Sequence, residues 1–276
     1  MQNAGIHSLG LDWRYLAFDV PPENLQAAID GAAAMRFIGL NLTVPHKLLA
    51  VKMVDALDSS ARQWGAVNTI RFEGRDNGRW LPLSQLPASF KGKVRSHGFN
   101  TDADAIIHSL REDLKMEPRN ASVVLLGAGG AGRTAALRLA AEGVHELRLI
   151  NRTASKAAAL GREIRRRFPK TIVHLGYGSG ACADLILNST SAGLKLADPL
   201  PLDIRHLPLK NAAAVYDMIY QPAETPLLKA ARKAGCRTAN GLGMLLHQGA
   251  MALEIWSGQP APMDVMRRAL QKAIHG

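Results

Sequence analysis

The chain has 276 residues, 47% of them apolar, enough for one large or two ordinary domains with a well-buried core. Its formal charge is +11, gathered partly in Arg162, Arg165, Arg166, Arg167 and Lys170 and partly in Arg75, Arg79, Lys91, Lys93 and Arg95. Neither cluster has aromatic interleaving, zinc-ligand spacing or a recognition helix, so solvated basic faces that attract small anions are expected, and no nucleic-acid partner. There is no apolar run of roughly eighteen residues, so no membrane partner is expected. The opening MQNAGIHSLG lacks a basic stretch followed by an apolar one, so no secretory signal is expected. Cys182 and Cys236 show neither metal-ligand spacing nor a disulfide framework, and they read as two reduced core thiols of a cytoplasmic protein.

In chain order, residues 13–20 (WRYLAFDV) predict a strand closed by Pro21 and Pro22. Residues 23–35 predict an alanine-rich helix and 37–44 (FIGLNLTV) a second strand, after which Pro45 can open a helix. Residues 67–72 and 93–99 predict strands. The stretch between them, RDNGRWLPLSQLPASF, has no periodicity and reads as a surface loop away from any chemistry. Thr101 is the expected N-cap of a helix running to about residue 115. Strands at 122–126, 146–150, 171–175, 184–188 and 213–218 then alternate with helices at 133–142 and 153–168, which implies a parallel, doubly wound sheet. Two helices, 244–256 and 263–274, end the chain. The fold class is therefore α/β.

The string VVLLGAGGAG holds glycines at 127, 129 and 132 in G-x-G-x-x-G spacing, after a buried strand and at the start of a helix. The first glycine permits the tight turn, the second admits a pyrophosphate to the backbone, and the third lets helix and strand pack closely. Free N–H groups and the positive helix end then face the anion. Expected cofactor contacts are Gly127, Ala128, Gly129, Gly130, Ala131, Asn151, Arg152, Thr153 and Lys156. The tip of the next strand, LRLINRTASK, has no acid to bond a ribose 2′-hydroxyl. Arg152 and Lys156 flank Thr153 instead, and a guanidinium fork suits the 2′-phosphate of NADP.

Four polar strings remain: Asn41-Leu-Thr43-Val-Pro45-His46-Lys47, Gly65-Ala-Val-Asn68-Thr69, Asn100-Thr101-Asp102, and Gly241-Leu-Gly243-Met-Leu-Leu-His247-Gln248. With GAGGAG, NRT and the run from Tyr216-Asp217 through Tyr220 to Thr225-Pro226-Leu227, they resemble, in order and over nearly the whole chain, the motifs of the shikimate dehydrogenase family. The resemblance implies reversible reduction of 3-dehydroshikimate to shikimate with NADPH, in aromatic amino-acid biosynthesis. A quinate/shikimate or aminoshikimate-type relative, or a paralogue that binds nucleotide without turnover, is the alternative.

The resemblance also implies two domains. Residues 1–101, completed by 242–276, form an α/β substrate domain, and 102–241 form a Rossmann-type NADP domain. It makes Lys47 the catalytic lysine and Asp102 its acidic partner, which also touches substrate. Thr43, Asn68 and Gln248 bind substrate hydroxyls, Tyr220 lies near the ring and carboxylate, and Met218 and Gly241 line the nicotinamide pocket. His46 is read as packed at the helix start rather than as proton donor. The partner is a small molecule, and the protein a monomer or homodimer. One departure is expected to matter: the family's first strand and its Ser-x-Ser-Pro segment have no counterpart here, which suggests an upstream start or a degraded paralogue.

Overall fold

The computed structural model describes residues 1–178 and 182–275, the last by its backbone alone. The chain divides into two compact units, Met1–Thr101 with Leu246–Gly276, and Asp102–Leu245.

The first unit holds, in chain order, α1 (Gln2–Ser8), α2 (Leu25–Ala34), β1 (Gly39–Asn41), α3 (His46–Leu49), β2 (Ala56–Leu57), α4 (Ser59–Trp64), β3 (Thr69–Asp76), β4 (Arg79–Pro82) and β5 (Val94–Phe99). Its sheet runs β1-β3-β5-β2, with β4 also paired to β3, and only the β2–β5 pair is parallel. Leu25 and Ile29 of α2 pack with Ala61, Val67, Ile70 and Phe72 to form the core. Local chemistry sets the short helices: the Asp58 carboxylate accepts from Ser60 N at 2.8 Å to start α4, and Gly65 ends it at φ 64°.

The second unit holds α5 (Asp102–Asp113), β6 (Ser122–Leu126), α6 (Gly130–Glu142), β7 (Glu146–Ile150), α7 (Ala154–Arg167), β8 (Ile172–Leu175), β9 (Ala183–Asn188), β10 (Ala212–Asp217), α8 (Pro226–Lys233) and β11 (Arg237–Asn240). Its parallel sheet runs β11-β10-β9-β6-β7-β8. Strand order therefore reverses between β6 and β9, the switch point where doubly wound sheets bind ligands beyond their carboxyl ends. Val123–Leu126 and Leu185–Asn188 are buried without a break, as central parallel strands covered on both faces require. Two further helices are α9 (Leu242–Ser257) and α10 (Met263–His275). In the first unit Trp256 of α9 donates from Nε1 to Ile70 O at 2.9 Å, and its ring lies so close over Gly39 that no Cβ fits there.

Four expectations are corrected. Residues 13–20 form no strand, because no neighbouring backbone pairs with them; Leu16 and Phe18 are 66% and 63% exposed. They are tied instead through Asn3, whose amide exchanges two hydrogen bonds with the Tyr15 backbone. The strand expected at 37–44 shrinks to β1, since only Gly39, Leu40 and Asn41 pair with β3. The stretch read as a loop folds as the β3–β4 hairpin. Asn77 and Gly78 sit at φ 46° and 80°, the two left-handed positions of a two-residue turn. Its continuation returns over Gly74, buries Leu83 and leaves no room for a Cβ against Leu86 and Phe90. Of the cysteines only Cys236 is buried; Cys182 is exposed.

The hairpin strand also carries a charge cluster. Glu73 is 2% exposed and accepts from Arg95 Nε at 2.8 Å, from Arg71, and from His97 Nδ1 at 2.9 Å. Burial alone would raise its pKa, but the hydrogen bonds from His97, Arg71 and Arg95 overcome this and hold it at about 2. Because the folded value lies below the unfolded one, the stabilisation is complete above about pH 4.5 and is lost as pH falls towards 2. The expected outcome is a loss of about 3 kcal/mol across that window. Urea unfolding at stepped pH checks it, and Glu73→Gln should flatten the acid limb.

Candidate functional site

Two groups of polar residues sit at strand ends, one in each unit. In the first, Asn68 continues the ladder into β3, its N–H donating to Phe99 O at 3.1 Å and its carbonyl accepting from Leu42 N at 2.8 Å. The side chain is 1% exposed and must find its partners inside. Nδ2 donates to Thr101 Oγ1 at 2.9 Å and to Gln248 Oε1 at 3.5 Å, while Oδ1 accepts from Thr101 N at 2.8 Å. The Thr101 hydroxyl in turn donates to Gln248 O at 3.1 Å. Asn68, Thr101 and Gln248, far apart in sequence, thus form one network.

Lys47 is half-buried on α3, and its carbonyl accepts from Val67 N at 2.8 Å. That bond staples the lysine's helix one residue from Asn68. Thr43 is exposed, and its carbonyl accepts from His46 N at 2.8 Å. His46 is half-buried with Nδ1 enclosed and unbonded. Asp102, 5% exposed, is the first residue of α5 and belongs to the second unit, as does Tyr220, 37% exposed after β10.

In the second unit the glycine turn leaves β6 at the switch point. Gly127 sits at φ +100°, and its N–H donates to Ile150 O at 2.8 Å. A Cβ on Gly132 would collide with Gly127 O and with Ser189 Oγ. Beside Gly129 there is nothing within 4 Å, an open cradle at the N-terminus of α6. Ala128 N donates to Asn151 Oδ1 at 2.9 Å, and Asn151 Nδ2 donates to Thr153 O at 2.8 Å, which fixes the β7 tip against the turn. Thr153 occupies the N-cap position of α7, whose first turn holds no acid. Arg152 and Lys156 are exposed there, with no acidic partner among the described residues. Open space beside Gly129 at a helix N-terminus, next to two exposed cations, fits the residues to a dinucleotide with a 2′-phosphate. Met218 and Gly241 meet backbone to backbone, so close that Gly241 cannot carry a Cβ.

The two glycines separate binding from folding. Gly129→Ala should leave the melting temperature unchanged and weaken dinucleotide binding by at least about tenfold, because the methyl fills the cradle. Gly132→Ala should cost about 1–3 kcal/mol of stability through overpacking. Calorimetry and a dinucleotide titration on both variants check the contrast.

Sequence reasoning missed Asn188 and Ser189, and gave no role to Asp217 and Thr225, which it named only as parts of a motif. Ser189 Oγ donates to Leu126 O at 2.8 Å beneath the turn. Asp217, fully buried, accepts from Thr225 Oγ1 at 2.7 Å, from Asn188 Nδ2 at 3.0 Å and from Ile219 N at 3.1 Å. Burial raises its pKa against those hydrogen bonds. The available signal was a polar residue closing each of two buried strands at a sheet's carboxyl edge.

Residues 1–70 match the profile of the shikimate dehydrogenase substrate binding domain, 110–197 that of shikimate/quinate 5-dehydrogenase, and 241–271 that of the shikimate 5′-dehydrogenase C-terminal domain. A shikimate dehydrogenase (NADP+) of Methanopyrus kandleri is 38% identical over 276 residues, covering 98% of this chain and 89% of the relative. A crystal structure of a shikimate dehydrogenase in complex with NADP+ superposes with TM-score 0.83 at 35% identity, covering 99% and 89% of the two chains. That of Thermus thermophilus shikimate 5-dehydrogenase with NADP(H) and shikimate gives 0.80 at 30%, covering 98% and 92%.

Proposed function

The chain belongs to the shikimate dehydrogenase family, and we propose that it reversibly reduces 3-dehydroshikimate to shikimate with NADPH, in the pathway to the aromatic amino acids. The observation that carries this reading is the pairing, on one chain, of an open turn at the start of α6, beside exposed Arg152 and Lys156, with the Asn68, Thr101 and Gln248 network of the first unit, next to which Val67 N ties the Lys47 backbone. The bound dinucleotide supplies the hydride. As the ketone carbon gains it, the carbonyl electron pair moves onto oxygen, and the Lys47 ammonium stabilises that charge and gives up its proton. Asp102, the acid that the resemblance pairs with catalysis, is assigned to a substrate hydroxyl. Asn68, Gln248 and Thr43 bind further hydroxyls; the long 3.5 Å arm from Asn68 to Gln248 is the one a substrate hydroxyl would take over. Tyr220 is assigned to the ring and carboxylate.

On the cofactor side, the turn residues Gly127, Ala128, Gly129, Gly130 and Ala131 hold the pyrophosphate, with Asn151 bracing the turn. Arg152, Thr153 and Lys156 take the 2′-phosphate, and Met218 and Gly241 flank the nicotinamide. We assign the substrate role to the first unit and the NADP role to the second. No described helix is long and apolar enough to cross a membrane. From the sparse cysteines we place the protein in the cytoplasm, as a monomer or homodimer.

The test follows reduced-nicotinamide absorbance with shikimate or quinate as substrate and NADP+ or NAD+ as acceptor. Turnover with shikimate and NADP+ above the other combinations is expected. Binding of NADP+ without turnover would leave only a nucleotide-binding protein.

A further inference from the structure

The carboxyl edge of the second unit's sheet carries a buried hydrogen-bonded bridge that touches no solvent. Asn188 ends β9 and Asp217 ends β10, adjacent strands in parallel register with these two residues paired. Both side chains are fully buried, as is Thr225. Asn188 holds its own loop, its Oδ1 accepting from Thr190 N at 3.0 Å and from Thr190 Oγ1 at 2.8 Å, and its Nδ2 donating to Ala192 O at 3.3 Å. Asp217 holds the neighbouring loop at both ends, through Ile219 N and Thr225 Oγ1. The 3.0 Å bond between the two side chains joins one loop to the other. Tyr220 lies between these two ends, and Met218 sits between Asp217 itself and the first of them. The Met218 N–H is itself fixed to Asn188 O at 2.9 Å, and Gly241 N to Ile219 O at 3.2 Å.

We propose that Asn188 and Asp217 are positioning residues for the nicotinamide end of the dinucleotide, acting through the loops they tie together rather than by touching it. The assignment rests on the NADP reading given above, which places Met218 beside the ring. Its logic is geometric. A carboxyl with no exposure cannot bind ligand, yet burying one is expensive and rarely the most stable choice. It fixes three donors from two segments in one arrangement, beside the strand-order reversal where the crevice must lie. Hydride transfer is the step most sensitive to such placement, since a displacement of about 1 Å costs up to about a hundredfold in rate. The 2′-phosphate end is held elsewhere, at Arg152 and Lys156 beyond β7, and should not register the bridge.

The experiment measures kcat and the affinity for 2′,5′-ADP, which has the phosphates and adenosine but no nicotinamide, in the full chain. Asp217→Ala should lower kcat by at least about tenfold and leave 2′,5′-ADP affinity within about twofold. Asp217→Asn should stay within about threefold of the native kcat, because its amide oxygen accepts from Asn188 and Ile219 while its NH2 donates to Thr225 Oγ1. If Asp217→Ala does not fold, Thr225→Val decides, with a smaller kcat loss and the same unchanged 2′,5′-ADP affinity expected. An unchanged kcat in the folded variant, or a parallel fall in kcat and 2′,5′-ADP affinity, would overturn the positioning role. So would an Asn variant as damaged as the Ala variant. Failure of the native chain to bind 2′,5′-ADP would overturn the dinucleotide reading itself.

Discussion

Lys47→Ala is expected to lower kcat by about two to four orders of magnitude while weakening shikimate binding only modestly. The ammonium is asked to stabilise charge that exists only once hydride has reached the ketone, so its removal falls on the transition state more than on the ground state. The structure favours that division. Lys47 is only half-buried, and the groups assigned to substrate hydroxyls, Asn68 and Gln248, are braced by Thr101. The Lys47 backbone bond to Val67 N survives the substitution, so the fold should too. Lys47→Arg should also be poorly active, because a guanidinium keeps the charge but does not release a proton near neutral pH. Steady-state kinetics with a separate shikimate titration decide the matter. A variant keeping more than about a tenth of kcat, a loss under about 1.4 kcal/mol, removes Lys47 from the chemistry.

Arg152→Ala should raise KM for NADP by roughly ten- to a hundredfold and leave that for NAD nearly unchanged. Charge-assisted bonds to a phosphate supply about 1.5–3 kcal/mol, and Arg152 has no acidic neighbour to compete for them. The turn holding the common part of both cofactors is braced by Asn151, so losing the guanidinium should not disturb it. Lys156 remains as a second cation, and the double variant should approach indifference between the cofactors. The NADP preference should shrink with added salt, since both groups are exposed. Equal weakening of both cofactors would make the arginine structural.

What the sequence determined by itself is local. Ser122–Leu126 lies where its short apolar run puts it, since a buried parallel strand bounded by turn residues writes its length in its composition, and Glu146–Ile150 lies where its alternating pattern puts it. The glycine turn was equally legible, because Gly127 needs its positive φ and Gly132 its clearance from Gly127 O, limits set within a few residues. The expectation for Arg152 is local too, since it turns on the absence of an acid in the same strand tip.

Tertiary structure decided whatever depends on a partner distant in the chain. Residues 13–20 have strand composition, but composition supplies no neighbour, and without a ladder they are not a strand. Arg79–Pro82 is the converse: part of a stretch without periodicity becomes β4 because the Asn77-Gly78 turn returns it onto β3. Asn68 could be named from its motif, but its bonds to Thr101 and Gln248 span 33 and 180 residues. Asn188 looks like an ordinary polar residue, and Asp217 like a motif residue without a role, until the sheet order places β9 beside β10. Only then does a buried carboxylate face a buried amide 3.0 Å away, because the desolvation of each has to be met by the other.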